Sequence, residues 1–177
     1  VSEFQAFDTS RDPLLGVFEF RGDEVVVINN HLTSRFGSSP IFGGPQPFVQ
    51  AGESARVAQA QALNELARWA AENVSPHGVV LGDLNTFEFT DDLEETLPGQ
   101  DRFLENLIVK NRDDNDYTFI FEGNSQALDH VFVSRRLFQQ AMLDIVHVNV
   151  DFPRRFVDAV ASDHEPLVAF LKLRGKD

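Results

Sequence analysis

Apolar positions along the chain change period several times, and each change marks an element. Residues 14–20 (LLGVFEF) read as a strand that ends at the turn Arg21-Gly22-Asp23. Val25, Val26, Val27 and Ile28 form an unbroken, mostly β-branched run, the pattern of a buried central strand, and it delivers Asn29-Asn30-His31 at its C-terminal end. Residues 33–52 lose all periodicity and are rich in Gly, Pro and Ser. Loops of this length in compact domains are often functional. From residue 53 to 73 the period becomes helical: Ala55, Ala58, Ala62, Leu66 and Trp69 share a stripe that Leu63 and Ala70 widen. Ser75-Pro76-His77-Gly78 stops that helix.

Val79-Val80-Leu81 predicts a second buried strand, ending in Gly82-Asp83-Leu84-Asn85, and a short acidic helix follows over 91–97. Residues 117–121 and 127–133 predict a β-hairpin around Glu122-Gly123-Asn124-Ser125-Gln126. Ser134 is placed to cap a short helix through Gln140. Strands are expected at 145–150 and 167–173, with Ser162-Asp163-His164 just before the last. Apolar strands alternating with helices imply an α/β sandwich with mixed sheets. Polar clusters sit at strand ends, where open α/β sheets place their sites.

Composition narrows the chemistry. With 177 residues and no linker or repeat, the chain makes one domain with a real core. The absence of cysteine excludes disulfides and thiolate metal sites. A bound metal would be held by oxygen or imidazole, which favours Mg²⁺, Mn²⁺ or Ca²⁺ over structural zinc. The net charge of −13 argues against tight binding of a polyanion through many phosphate contacts. It leaves cleavage of one open, because a divalent cation and a few arginines reshape the local potential. No run is apolar and long enough to span a bilayer, and Val1-Ser2-Glu3-Phe4 shows no signal-peptide pattern. No residue pattern specifies an oligomeric state.

Four clusters carry the candidate chemistry: Asn29-Asn30-His31, Gly82-Asp83-Leu84-Asn85, Leu128-Asp129-His130 and Ser162-Asp163-His164. Together they offer carboxylates for a hard cation, an Asn to hold an oxygen, and His for proton transfer or charge stabilisation. Each has a plainer reading when taken alone. Asp83 and Asn85 support a turn, His31 is a satisfied histidine at a strand end, Asp129 pairs with Arg135, and Asp163 caps a turn before Pro166. The ordered set outweighs the separate readings, since several unrelated structural roles would have to mimic one catalytic layout in sequence. His130 is read as structural, because its side chain leaves a strand on the face opposite that of Asp129. His77 and His147 match no motif and receive no role.

The order NNHL, GDLNTFE, YTFIFEGNSQALDHVFVS, SDHEPLVAFL resembles the endonuclease/exonuclease/phosphatase superfamily, which shares the deoxyribonuclease-I and exonuclease III fold. RDPLLGVFEF, NNHLTSRFG, GDLNTFEF and FEGNSQALDH are most similar to its bacterial extracellular nuclease branch, which implies an extracellular or periplasmic location. The resemblance runs from Leu14 to Leu173 and implies a deoxyribonuclease-I-like sandwich with divalent-metal-dependent hydrolysis of phosphodiesters. By that likeness Asp83 orients or deprotonates the attacking water. Asn85 holds the water or a phosphate oxygen, Asp129 orients His164, and His164 stabilises charge or acts as a base. Asp163 helps bind the cation, and His31 contacts the phosphate or assists the leaving oxygen. Asn29 at the strand end, with Ser34 and Arg35 after His31, is read as a substrate contact, an ordinary polar loop being the plainer reading of the last two. Arg154 and Arg155, set between aromatics, read either as a nucleic-acid contact or as a solvated loop.

The resemblance also implies an early strand bearing an Asn and a later one ending in a metal-binding Glu. Neither pattern is found; Glu3 and Gln5 lack the context. The expectation is a fold incomplete at its N-terminus: residues 1–177 as the C-terminal portion of a single domain, weak or inactive alone. Three functions compete. The first is a nuclease acting on DNA or RNA. The second is a phospholipid or inositol-phosphate phosphodiesterase or phosphatase, which Phe36, Ile41, Phe42 and Phe48 in the long loop would suit. The third is a non-catalytic binding or assembly domain.

Overall fold

A computed structural model describes residues 5–40, 42–110, 115–151 and 161–173. Ile41, Arg154 and Arg155, and the first four residues that include Glu3, lie outside them. Five strands form the main sheet, in the order β1-β2-β3-β7-β4. They are β1 (Leu14–Phe20), β2 (Asp23–His31), β3 (Gly78–Asp83), β7 (Asp129–Ser134) and the short β4 (Leu104–Asn106). The sheet is mixed: β2 and β3 run parallel and the other pairs antiparallel. The parallel pair needs a crossover, which the helix α1 (Glu53–Asn73) supplies. With helix on one face and a second sheet on the other, this is the α/β sandwich of mixed sheets that the alternation of elements implies.

Strand alternation sorts the sheet's side chains into two cores. Val26, Ile28, Val80 and Phe132 face α1, where Ala60, Leu63, Ala67 and Ala70 cover them. Val25, Val79, Val131 and Val133 face the other way, toward Leu143 of β8 (Met142–Ile145) and Leu167 and Ala169 of β9 (Leu167–Phe170). A Leu63→Ala substitution in the first core would cost about 2–5 kcal/mol by the usual scale of such cavities.

Several elements differ from the sequence reading. The buried face of α1 is Arg56, Gln59, Ala60, Leu63, Ala67 and Ala70, while Trp69 is 48% exposed and Ala58 is exposed. The apolar stripe is rotated because two polar side chains occupy the inner face. Arg56 is fully buried and donates from Nη1 to the carbonyls of Ala51 at 2.8 Å and Thr33 at 3.2 Å. Gln59 Oε1 accepts from Thr33 N at 3.0 Å. These polar residues fasten the long loop to the helix. Asp92 sits opposite Arg56, its Oδ2 3.7 Å from Arg56 Nε, and takes a hydroxyl hydrogen bond from Thr86 at 3.1 Å.

The predicted hairpin is smaller than expected. β5 (Phe119–Phe121) pairs with β6 (Asn124–Gln126) across a two-residue turn, and β7 leaves to join the main sheet. Glu122 and Gly123 both have positive φ, 49° and 79°, the hallmark of a tight hairpin turn. The acidic segment forms a π-type turn over Asp92–Thr96 rather than an α-helix. Ser134 makes no side-chain cap on the short helix Arg135–Phe138; its hydroxyl accepts instead from Gly78 N at 3.2 Å. Residues 146–150 are irregular, and the last strand stops at Phe170. No helix among the described residues is long and apolar enough to cross a membrane.

Candidate active site at the ends of β2, β3 and β7

The register brings three of the four clusters to one place. His31 pairs with Asp83 at the parallel ends of β2 and β3, and Asp83 pairs with Asp129 where antiparallel β7 begins. Period-two alternation puts all three side chains on the face of the sheet away from α1. Asn29 lies on that same face two residues before His31 and is exposed. Asn30 turns the other way and is buried, its amide donating to Ile28 O at 2.9 Å.

Close approach of β2 and β3 depends on glycine. Gly82 has φ +131°, and a Cβ there would lie 1.9 Å from the carbonyl oxygen of Asn30. No other residue permits that spacing, so the glycine before Asp83 seats the carboxylate beside His31.

Asp83 is held on every side. Its Oδ1 accepts from Asn85 N at 2.9 Å and its Oδ2 from the Asn85 amide at 3.2 Å. Asn85 adopts the left-handed conformation, φ 51°, that an Asn tolerates, and the same amide also reaches Leu32 O at 3.2 Å. Asn85 therefore orients Asp83 before it can orient any ligand. His31 Nε2 stands 3.3 Å from Asp83 Oδ2.

His164 arrives from the loop before β9. Its Nδ1 donates to Asp129 Oδ2 at 2.6 Å, which fixes the tautomer and leaves Nε2 facing Asp83 Oδ2 at 4.0 Å. This pairing replaces the alternative of Asp129 with Arg135. The ring of Phe119 packs 4.8 Å from that of His164. The hydrogen bond that His164 donates to Asp129 raises the His164 pKa, with burial pulling the other way. Burial raises the pKa of Asp83, and the charge of Asp129 raises it further, against the lowering influence of both histidines and the Asn85 N–H. A cavity of about 590 Å³ opens beside Asp129 and His164 between the two sheets.

Ligand atoms of Asp83, Asp129 and His164 lie within 4.8 Å of one another. This group of hard oxygen and imidazole donors suits a divalent cation. Asp163 is exposed next to His164 and is not in that group. Ser34 is exposed, its hydroxyl accepting from Phe36 N at 3.2 Å. The guanidinium carbon of Arg35 stands over the Phe87 ring, 4.2 Å from its centre, so the loop after His31 rests on the segment after Asn85. Burial there lowers the Arg35 pKa to about 10.

His130 is fully buried on the opposite face. Its Nε2 donates to Thr86 O at 3.1 Å and its Nδ1 accepts from the Asn106 amide at 3.1 Å. His147 is irregular rather than strand-borne and sits among Tyr117, Asp151 and Glu165. Sequence reasoning passed over Thr118, Phe119, Asn149 and Glu165. The signals were present, since Thr118 and Phe119 lie inside the quoted YTFIFE string and Glu165 directly follows Ser162-Asp163-His164.

The model of the Endonuclease/Exonuclease/phosphatase family matches residues 4–164. Among solved structures, the chain is similar to truncated TDP2 of Caenorhabditis elegans, with a TM-score of 0.66 and 18% identity over 95% of this chain and 63% of that one. It is also similar to an endonuclease/exonuclease/phosphatase of Bacteroides vulgatus, with a TM-score of 0.59 and 23% identity over 86% and 51%. A mannosyl-6-phosphatase of Bacteroides thetaiotaomicron gives a TM-score of 0.57 and 19% identity over 86% and 52%. The chain thus spans 63% of the first of these structures and about half of the other two. Among curated proteins, none matches the sequence.

Proposed function

The chain belongs to the endonuclease/exonuclease/phosphatase family, and from that premise we propose that its site hydrolyses phosphodiester bonds with a divalent cation, nucleic acid being the preferred substrate. One observation carries the proposal. The Asp83 carboxylate lies between two imidazoles, His31 at 3.3 Å and His164 at 4.0 Å, and His164 is locked onto Asp129.

In this reading Asp83 takes the proton of the attacking water, and a pKa raised by burial makes it a better base than an exposed carboxylate. Asn85 keeps both Asp83 oxygens in place. His164, held protonated at Nδ1 by Asp129, turns Nε2 toward the developing charge on phosphorus. His31 meets the phosphate or the leaving oxygen from the opposite side. Asn29, Ser34 and Arg35 steady the substrate along the loop. Asp163, exposed beside His164, would help hold the ion, Mg²⁺ before Mn²⁺ or Ca²⁺, next to the group of Asp83, Asp129 and His164. When bound, such an ion neutralises phosphoryl oxygens and acidifies water.

A lipid or inositol phosphate is the second reading. Phe36 is 95% exposed and Phe42 87% exposed on the loop after His31, where they suit a lipid surface as well as stacked bases. Export from the cell rests on the resemblance to extracellular bacterial nucleases alone.

A substrate panel tests the reaction. Plasmid DNA, RNA, sphingomyelin vesicles and inositol phosphates are incubated with the chain and Mg²⁺, Mn²⁺ or Ca²⁺. Metal-dependent cleavage of nucleic acid, weak for residues 1–177 alone and abolished by Asp83→Ala, is the expected result. Release from lipid alone would move the substrate assignment. No turnover, together with no heat of Mg²⁺ binding by calorimetry, would favour a non-catalytic binding domain.

A further inference from the structure

Asp129 and His164 meet across a separation of 35 residues, and one partner sits on an irregular loop. Something besides their own hydrogen bond must hold that loop against the strand end. We propose that Thr118 is a positioning residue that clamps the backbone of Asp129 to the backbone beside His164, with Asn149 as the second tether.

Thr118 touches both sides. Its side chain is fully buried, and its hydroxyl oxygen accepts from Leu128 N at 3.1 Å and from Asp129 N at 3.2 Å. Its carbonyl accepts from Glu165 N at 2.8 Å, while its own N–H is tied to Gln126 O at 2.9 Å. One residue therefore bonds the amide of Asp129 and the amide immediately after His164. The next residue, Phe119, sets its ring against His164.

Asn149 secures the loop from the other side, donating from its amide to His164 O at 2.7 Å. Glu165 presents Asn149. Its buried carboxylate accepts from Val148 N at 3.0 Å, Asn149 N at 2.8 Å and Val150 N at 3.0 Å, which folds that segment around it. His164 is thus held at its backbone by two independent contacts before its ring meets Asp129. Displacement of a reacting group by about 1 Å costs on the order of a hundredfold in rate.

The test separates positioning from mere stability. Thr118→Val keeps the shape and removes the acceptor, while Thr118→Ser keeps the acceptor. Asn149→Leu cuts only the second tether and lies in a half-buried loop. The readout is the downfield proton resonance of His164 Nδ1–H, assigned by its absence in Asp129→Asn, alongside kcat and KM on a cleaved substrate. Thr118→Val is expected to broaden or abolish the resonance and lower kcat about tenfold or more with KM unchanged. Thr118→Ser is expected to restore both, and Asn149→Leu to show a smaller loss of the same kind.

If Thr118→Val does not fold, Asn149→Leu and Thr118→Ser carry the test. A folded Thr118→Val or Asn149→Leu protein with the wild-type resonance would overturn the clamp. So would a Thr118→Ser protein without the resonance. The kcat arm rests on the proposed hydrolysis, whereas the resonance does not. Loss of the resonance in Thr118→Val with no turnover by any variant would refute the reaction and support the clamp.

Discussion

The dipeptide Asp-His occurs at Asp129-His130 and again at Asp163-His164, and the two copies use opposite members. In the first, both residues belong to strand β7, so alternation sends them to opposite faces. Asp129 enters the site, and His130 enters the core under α1, where Thr86 and Asn106 satisfy its two nitrogens. In the second, the pair sits on a loop that strand geometry does not constrain. There His164 turns onto Asp129 and Asp163 stays in solvent. The same two letters thus give a neutral buried histidine in one place and a carboxylate-bound one in the other. Backbone context, not residue type, decides which member does chemistry.

The largest effect should come from the histidine in the site. His164→Ala removes the group facing Asp83 but little of the core, since His164 is only half-buried. A fall in kcat of about 10²–10⁴-fold is expected, roughly 3–5 kcal/mol of transition-state stabilisation. The melting temperature should hardly change. His130→Ala should do the reverse, lowering the melting point while the folded fraction keeps its rate. Equal losses of kcat in both variants would erase the distinction between the two copies.

The next effect probes the rigid floor of the site. Gly82→Ala places a methyl group on the Asn30 carbonyl, and backbone cannot yield as a flexible side chain does. A stability loss of about 3 kcal/mol or more is expected in urea denaturation. A near-neutral Gly82→Ala protein would mean that β2 and β3 can separate at their ends without loss.

How much of this was legible in the sequence follows from the same contrast. Residues 25–28 and 79–81 announced buried strands by composition, and strand ends announced the positions of His31, Asp83 and Asn85. The face occupied by His130 followed from alternation alone. Where polar residues do structural work inside the fold, the pattern misled. Arg56 and Gln59 fill the inner face of α1 because they bond the carbonyl and amide of Thr33, and a count of apolar positions cannot see that. The segment from 117 to 133 read as one hairpin because both arms are apolar. The positive φ values at Glu122 and Gly123 mark a two-residue turn, and the register of β7 on β3 and β4 shows that it pairs elsewhere. The meeting of Asp129 and His164 is tertiary, so periodicity could not give it and only the family resemblance implied it. The contacts of Thr118 with the Leu128 and Asp129 amides carry no periodic signal.

Acid should weaken the fold through His130. Burial lowers its pKa to about 4 from an ordinary 6.5. Between those values the unfolded chain binds a proton that the folded one refuses, so stability rises with pH across the window. The contribution is complete above about pH 6.5 and is lost as pH falls toward 4. From this group alone, unfolding free energy should drop by about 2 kcal/mol between pH 7 and pH 5. Urea titrations at the two values measure the total. The His130 ring resonances, unchanged over that range in the folded state, assign the share. A His130 ring that titrates near 6.5 in the native protein would contradict the neutral buried state.

The smallest effect belongs to the carboxylate that the second copy leaves outside. Asp163 is exposed on a loop, so Asp163→Asn should change stability by no more than about 0.5 kcal/mol, as surface substitutions usually do. Its proposed part is in holding the ion, with charge rather than shape as the contribution. Removing one carboxylate from a hard-cation site weakens binding without emptying it while other oxygen ligands remain. The Mg²⁺ concentration at half-maximal rate should therefore rise about tenfold, or 1.4 kcal/mol, with the limiting rate nearly kept. A Mg²⁺ titration of the rate, with calorimetry in parallel, reads both quantities. If the Mg²⁺ requirement stays put while the limiting rate falls, Asp163 acts on His164 rather than on the ion. The exposed member of the second copy would then serve the histidine beside it, as Asp129 does from across the site.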